Sequence, residues 1–165
     1  MWSPLIAALL LAWAKSAHGQ TTYSSSSGTA SYAFDGLNAT QWVSSASYPF
    51  TATRSADASG AYYYGEWVQA TFPQPFNLTS YALRGGALSP PTSWTLLGSV
   101  DGCSWTVVDS GASSTPITKS VPAFVSALRL VCTSAAGAAC SVSELSFTGA
   151  LGSVTYASGT SAASS

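Results

Sequence analysis

Short apolar runs recur along the chain after residue 20, separated by Gly, Pro, Ser and Asp, and their length and spacing are those of β-strands. The clearest run covers residues 66–72, in which Val68, Ala70 and Phe72 alternate with residues of the opposite face. Because side chains alternate between the two faces of a strand, this pattern predicts a strand with one buried face. Helical periodicity is almost absent, so an all-β domain is predicted.

Five further strands are predicted from runs rich in Val, Leu, Tyr, Phe, Trp and Thr, at residues 78–84, 93–99, 105–109, 127–133 and 141–148. Pro73 and Pro75 follow the first predicted strand and are expected to end it, because proline cannot donate to a ladder of hydrogen bonds. The pair Asp101-Gly102 lies between two strands and tolerates the left-handed backbone that a tight connection requires.

The two ends of the chain differ from its middle. Residues 1–19 combine an apolar run with small residues before Gln20, and this pattern predicts a secretory signal peptide. Residues 20–150 form the predicted all-β domain, a sandwich or a barrel. Residues 151–165 are rich in Ser, Ala, Thr and Gly and are interpreted as a low-complexity tail, a linker or the start of a further repeat.

Charge and titratable residues narrow the function classes. Lys and Arg number 5 and Asp and Glu number 6, so the chain lacks the basic surface that nucleic acid or an anionic membrane requires. The single histidine, His18, falls in the predicted signal peptide, which leaves no base for a Ser/His/Asp or Cys/His arrangement. A non-catalytic protein is predicted.

Sequons and cysteines fit an oxidising, extracellular compartment. Both asparagines of the chain, Asn38 and Asn77, lie in N-x-[ST] sequons and are predicted to carry glycans. Cys132 and Cys140 flank a loop of small residues and are predicted to form a disulfide, whereas Cys103 is left over.

Several short motifs follow one another in a specific order. They are Ala33-Phe34-Asp35-Gly36, Thr40-Gln41-Trp42, Gly65-Glu66-Trp67-Val68-Gln69, Pro91 to Ser99 leading to Asp101-Gly102 and Trp105, Leu128 to Val131, and Ser143 to Phe147. Taken together they resemble the factor 5/8 type C (discoidin, galactose-binding-like) domain, from about residue 26 to residue 149. The resemblance implies a jelly-roll-like antiparallel β-sandwich of about eight strands, with ligand-contacting loops at one end.

The resemblance also implies a structural calcium ion near the end of the sandwich. By position its ligands in this chain are Asp35, Thr40 and Glu144, with Tyr32 and Ser143 as main-chain donors. At Leu37 the chain departs from the family pattern, because a leucine side chain offers no oxygen to a hard cation. The alternative is that Asp35 caps its own turn while Glu144 binds nearby main-chain amides.

The segment 44–65 is a long stretch without clear alternation, and a loop of this length is usually functional or disordered. Sugar recognition requires aromatic faces with a few polar groups. The candidate aromatics are Tyr48, Phe50, Tyr62 and Tyr63, and the candidate polar partners are Arg54, Asp57 and Arg84. The strand tryptophans Trp67, Trp94 and Trp105 are assigned to packing.

Three functions remain, and all are extracellular or on the cell surface. The favoured one is a carbohydrate-binding or adhesion module whose partner is a glycan or glycoprotein. The second is self-association into a fibre or coat by strand addition through residues 20–29 or through the tail. The third, binding to a phospholipid surface, is disfavoured because the loops offer only two cations, Arg54 and Arg84.

Overall fold

The structure is a computed structural model that describes residues 20–47, 49, 53–112 and 116–151. Its elements, in chain order, are β1 (Thr22–Ser25), a 3-10 helix (Ala30–Ala33), β2 (Trp42–Val43), β3 (Arg54–Ala56), β4 (Tyr62–Tyr64), β5 (Glu66–Gly85), β6 (Pro91–Ser99), β7 (Trp105–Gly111), β8 (Ile117–Ala135) and β9 (Ser141–Leu151). Within this part of the chain no α-helix forms, and no helix has the length and apolar character needed to cross a membrane. The all-β prediction is confirmed.

Two long bent strands, β5 and β8, connect the two layers of a β-sandwich. Residues 66–71 of β5 pair with β1 and with residues 127–132 of β8, and β8 continues to β6 and β7 in what we name the front sheet. Residues 76–85 of β5 pair with β9 and with residues 117–125 of β8, and β9 continues to β2 in the back sheet. All these pairs are antiparallel, as predicted for a jelly-roll-like sandwich.

The expectation that Pro73 and Pro75 end a strand is wrong. Both lie inside β5, which runs without a break from Glu66 to Gly85. The pairing of β5 with β8 is interrupted between Thr71 and Phe76, where β5 leaves one sheet for the other. No ladder hydrogen bond is required at that bend, so proline is tolerated there.

The main core lies between the sheets and follows the predicted alternation. Val68 and Ala70 are almost completely buried, and Phe72 packs against the same core while partly exposed. The other large buried side chains of this core include Trp42, Leu78, Tyr81, Leu83, Trp94, Leu96, Leu128, Leu130 and Leu145. Burial of these side chains is the principal source of stability for the domain.

The predicted disulfide is confirmed. Cys132 at the end of β8 and Cys140 before β9 are joined, with their Cα atoms 6.5 Å apart, and both are buried. Cys103 is a free, exposed thiol in the turn before β7. The predicted signal peptide and most of the predicted tail lie outside the described residues, and these two assignments stay predictions.

Candidate functional site

A short hairpin, β3 and β4, covers the outer face of the front sheet. Arg54 pairs with Tyr64, and Ala56 pairs with Tyr62, so these four side chains share one face of the hairpin. Tyr62 and Tyr64 are 53% and 49% exposed, and Arg54 is exposed as well. We name Arg54, Ala56, Tyr62 and Tyr64 the hairpin platform.

The guanidinium of Arg54 lies 4.5 Å from the centre of the Tyr62 ring, a distance at which a cation is attracted to the ring face. Among the residues that the structure describes, the only ion pair joins Lys119 to Asp109. The charge of Arg54 therefore has an aromatic neighbour and no carboxylate partner in this region. Its donors are available to an incoming acceptor.

The opposite face of the hairpin packs inward. Ser55 is buried, and Tyr63 contacts a second apolar cluster on the outer face of the front sheet, formed by Leu97, Trp105, Ala127 and Val131. The Tyr63 hydroxyl donates to Asp57 Oδ2 at 2.8 Å. Tyr63 therefore anchors the hairpin to the sheet.

Asp57 closes the turn of the hairpin. Its Oδ1 accepts hydrogen bonds from the amide and hydroxyl of Ser59 and from the amide of Ala61, at 2.9, 2.6 and 3.0 Å. Hydrogen bonds from Ser59 and then Tyr63 hold the pKa of Asp57 below its usual value. Gly60 completes the turn with a φ of +87°, which a residue with a side chain adopts only with strain. Ligand contact by Asp57 and Tyr63 stays a prediction. In the structure both residues also help to close the hairpin.

Arg129 joins the hairpin to the front sheet. Its guanidinium lies between two indole rings, 4.3 Å from the centre of Trp67 and 4.2 Å from that of Trp105. Its Nε and one terminal nitrogen donate to Gln69 Oε1 at 2.9 and 2.8 Å, and the other terminal nitrogen donates to Ser55 Oγ at 3.2 Å. The planar guanidinium of arginine suits this position because it stacks on the indole rings and donates hydrogen bonds from its edge at the same time.

Glu66 connects three segments beneath the hairpin. Its carboxylate is buried and accepts hydrogen bonds from the hydroxyls of Ser26 at 2.9 Å, Ser27 at 2.5 Å and Thr53 at 2.6 Å. Burial alone raises the pKa of Glu66, but the hydrogen bonds from Ser27, Thr53 and Ser26 together bring it below its usual value. The start of β5 is thereby tied to the chain before β3 and to the segment after β1.

The structure does not bring together all the residues predicted to bind a ligand. Tyr48 and Phe50 lie outside the described residues. Arg84 is exposed on the outer face of the back sheet, because its neighbour Leu83 points into the core. It lines a shallow groove of about 280 Å³ that also includes Asn38 and Glu144. Arg84 therefore belongs to a different surface from the hairpin platform.

Sequence reasoning missed Tyr64 as a surface aromatic. Period-2 alternation within Tyr62-Tyr63-Tyr64 was the available signal, since it places the first and third rings on one face and the second on the other. That signal was not used because the segment was interpreted as a loop rather than as a strand. The same alternation explains why Tyr63 is turned inward.

The residues predicted to bind calcium meet at the turn after the 3-10 helix. Asp35 accepts from the amide of Leu37 at 2.9 Å and from the hydroxyl of Thr40 at 2.6 Å, while Glu144 accepts from the amide of Gly36 at 3.0 Å. Burial, and then the negative charge of Asp35, raise the pKa of Glu144. These contacts are those of the alternative interpretation, in which Asp35 caps the turn and Glu144 binds a main-chain amide.

Oxygen donors nevertheless suit a hard cation at this turn. The carbonyl of Leu37 lies 3.0 Å from the Thr40 hydroxyl, so the main chain supplies an oxygen where the leucine side chain has none. Tyr32 lies in the 3-10 helix before the turn, and Ser143 precedes Glu144 on β9 with its hydroxyl donating to the carbonyl of Gly85 at 3.0 Å. No group of three or more His, Cys, Asp or Glu side chains converges anywhere in the described residues.

Comparison with protein families finds a match over most of the chain. A family model described as "F5/8 type C domain" matches residues 14–145. A search of curated proteins finds no relative of this chain.

Several solved structures with the same fold are carbohydrate-binding modules. The family 32 module of NanJ from C. perfringens, in complex with galactose, is 16% identical with a TM-score of 0.59, and the match covers 77% of this chain and 92% of that one. Chitosan-binding module 2 from a Paenibacillus sp. IK-5 enzyme, in complex with chitotriose, is 20% identical with a TM-score of 0.55, covering 79% and 95%. The family 32 module of AlyQ, in complex with 4,5-unsaturated mannuronic acid, is 12% identical with a TM-score of 0.57, covering 77% and 93%.

Proposed function

Because the chain belongs to the F5/8 type C domain family, we propose that it is a secreted or cell-surface, non-catalytic carbohydrate-binding module that contacts its glycan through the hairpin platform. The observation that carries the proposal is the pair of half-exposed rings, Tyr62 and Tyr64, on a hairpin that also presents Arg54. Three relatives of the same fold are complexes with sugars. Galactose, chitotriose and a mannuronic acid derivative differ in charge. These complexes therefore support a sugar ligand but do not indicate which sugar this chain binds.

The chemistry of the platform favours an acidic sugar. Tyrosine rings offer a flat apolar surface to the C–H face of a pyranose, and a guanidinium donates two parallel hydrogen bonds to a carboxylate. The nearest carboxylate of the hairpin, Asp57, is occupied by Ser59, Ala61 and Tyr63 and does not compete for Arg54. We therefore propose a glycan that contains uronic acid as the preferred ligand.

A glycan array probed with the full chain tests this function, with calcium and with chelator. Binding is expected to be strongest for uronic acid oligosaccharides, and Tyr62→Ala or Arg54→Ala is expected to weaken it about tenfold or more, the loss typical of a central contact residue. Leu88→Ala is the matched control, because Leu88 is an apolar residue that is 72% exposed and does not belong to the platform. A blank array in both buffers contradicts the function, and pelleting with phosphatidylserine liposomes would favour the lipid alternative instead.

We propose in addition that one calcium ion stabilises the turn at residues 35–40. Asp35, Glu144, the hydroxyl of Thr40 and the carbonyl of Leu37 are its expected donors, with the carbonyls of Tyr32 and Ser143 completing the set. When bound, the cation would neutralise two carboxylates whose mutual repulsion contributes to the raised pKa of Glu144. Its role in this proposal is structural.

Self-association by strand addition is the second candidate function. The observation that favours it is the position of β1, a strand from Thr22 to Ser25 that pairs only with β5 among the described residues, which leaves its other edge without a partner there. Sedimentation of the full chain over a concentration series tests this candidate. Assemblies that disappear when residues 20–29 are deleted, in a variant that still unfolds cooperatively, support it, and a monomer at every concentration contradicts it.

A further inference from the structure

An unusual pair of residues lies on the outer face of the back sheet. Asn77 on β5 and Phe124 on β8 are direct cross-strand partners. Their neighbours Phe76, Leu78 and Val125 are buried in the core, so both side chains point outward. Phe124 is 49% exposed, and among the described residues this part of β8 pairs only with β5, so the ring lies on the outermost strand of the back sheet.

We propose that Asn77 is a glycosylation site whose first N-acetylglucosamine packs on the ring of Phe124. Asn77 opens the sequon Asn77-Leu78-Thr79, and its side chain is exposed. Directly opposed residues of an antiparallel pair have Cβ atoms about 5 Å apart, so a sugar joined to the asparagine nitrogen lies within reach of the opposing ring. The apolar face of the sugar then covers the exposed face of the phenylalanine.

The surroundings of Asn77 leave room for this arrangement. On its other side the cross-strand partner is Ala150, which is small and exposed. No hydrogen bond within the described residues occupies the side-chain amide of Asn77. Thr79 is exposed, with its hydroxyl donating to the carbonyl of Thr148 at 3.0 Å. The asparagine nitrogen is thus accessible beside one large ring and one small side chain.

The other sequon provides an internal control. Asn38 lies in the loop between the 3-10 helix and β2 and has no cross-strand partner. Strand pairing places an aromatic ring opposite Asn77, but it places none opposite Asn38. The two sites are expected to differ in what the sugar contributes to stability, although both are exposed.

The experiment uses the full chain expressed in a glycosylating secretory host, with Asn38→Gln so that Asn77 is the single sequon. Four proteins are compared by thermal unfolding: this parent, Asn77→Gln, Phe124→Ser and the double variant. The glycan is expected to raise Tm by about 2–5 °C in the parent and to add nothing when Phe124 is replaced. Trimming to one N-acetylglucosamine is expected to preserve the whole gain, and Leu88→Ser, a matched exposed apolar residue, is expected to leave the gain unchanged.

Three results would overturn the proposal. The first is an Asn77 that mass spectrometry finds without sugar in the secreted protein. The second is a Tm gain from the glycan that is equal with and without Phe124. The third is a dimer of the glycosylated protein that Phe124→Ser dissociates, since the ring would then be covered by a second copy. Nuclear Overhauser contacts between the acetyl methyl of the sugar and the Phe124 ring would support the proposed packing directly.

Discussion

Asp35 and Glu144 hold neighbouring amides of one turn, although they are far apart in the sequence. Asp35 binds the amide of Leu37, and Glu144 binds that of Gly36, both at hydrogen-bonding distance. Two like charges directed at one turn repel each other, and the pKa of Glu144 is raised by burial and by Asp35. We therefore expect the ionised turn to gain stability from a bound cation or from the loss of one charge.

Without calcium, Glu144→Gln is expected to raise Tm at pH 7. A carboxyl whose pKa is raised by folding contributes stability below its unfolded pKa, and that contribution is lost as the pH rises through the raised value. The glutamine keeps an acceptor for Gly36 and carries no charge, so its advantage is expected at neutral pH and not at pH 4. Thermal unfolding in chelator at the two pH values measures this effect, and a variant less stable than the parent at pH 7 would refute it.

Calcium is expected to reverse the order of these two proteins. At a concentration one hundred times its dissociation constant, a ligand that binds only the folded state adds about 2.7 kcal/mol, or about 5–10 °C in Tm for a domain of this size. Asp35→Asn and Glu144→Gln should lose most of that gain, whereas Asp101→Asn, in the turn before β7, should keep it. An equal response in all variants would show that calcium binds elsewhere.

Arg129→Met is expected to cost about 2–4 kcal/mol in the free energy of unfolding. Methionine fills part of the space between Trp67 and Trp105, but it removes two cation–π contacts and leaves the Gln69 oxygen without its donors. Urea unfolding measures the loss, and the exposed Arg84→Met on the back sheet should change stability by less than about 0.5 kcal/mol.

The same variant tests whether Arg129 positions the hairpin for glycan binding without contacting the sugar itself. Arg129→Met is expected to weaken glycan binding under conditions where it remains folded, because Ser55 of the hairpin loses its donor. Arg129→Lys retains the positive charge but not the forked guanidinium. It should therefore be closer to the parent in stability than in glycan affinity. Unchanged affinity in a folded Arg129→Met protein would mean that the hairpin does not need this anchor.

Glu66→Gln is expected to destabilise the domain by about 2–3 kcal/mol at pH 7, since three hydroxyls donate to the buried carboxylate. A carboxyl whose pKa is lowered by folding contributes stability above its unfolded pKa, and that contribution is lost as the pH falls through the lowered value. The difference between parent and variant should therefore shrink in acid. Denaturant titrations at pH 7 and pH 3 test this. If the difference in unfolding free energy between parent and variant does not depend on pH, Glu66 is not ionised in the way proposed.

The disulfide is expected to contribute about 2.5 kcal/mol, the loop-closure value for a bond between residues 8 positions apart. Unfolding of the double variant Cys132→Ala/Cys140→Ala measures that contribution. Cys103→Ala is the control, because this thiol is free and exposed and its loss should leave stability unchanged. A double variant as stable as the control would show that the loop is held by its hydrogen bonds alone.

Most of the fold could be predicted because burial imposes a period of two on each strand. Val68 and Ala70 revealed their buried face from sequence alone, and the disulfide followed from the loop between its cysteines. The continuity of β5 could not be predicted, since proline normally ends a strand and only the partners of β5 show that no hydrogen bond is needed at Pro73 and Pro75. The length of β8 was missed because Lys119 interrupts the alternation of Ile117, Val121, Ala123 and Val125, and Pro122 argues against a strand.

The candidate site was harder to predict because it depends on long-range partners. Arg54 and Tyr62 were found from their residue types, but the pairing of β3 with β4 decides that Tyr64 is exposed and Tyr63 is not. Nothing local to Arg129 indicates that it lies between two tryptophans from other strands. Its role depends on the register of β5, β7 and β8, which a single sequence does not state.

The bend of β5 also determines how this domain can be joined to other domains. The two ends of β5 lie at one pole, because Glu66 pairs with Cys132, which is bonded to Cys140, and the chain after Gly85 contacts Ser141, the residue that follows Cys140. At the bend, Thr71 faces Thr22 of β1 and Phe76 faces Leu151 of β9, positions at most about 18 Å apart along the strand. Polypeptide attached before β1 and polypeptide attached after β9 therefore leave from the same pole, side by side. Fusion partners on both ends would sit together there and leave the opposite pole unobstructed.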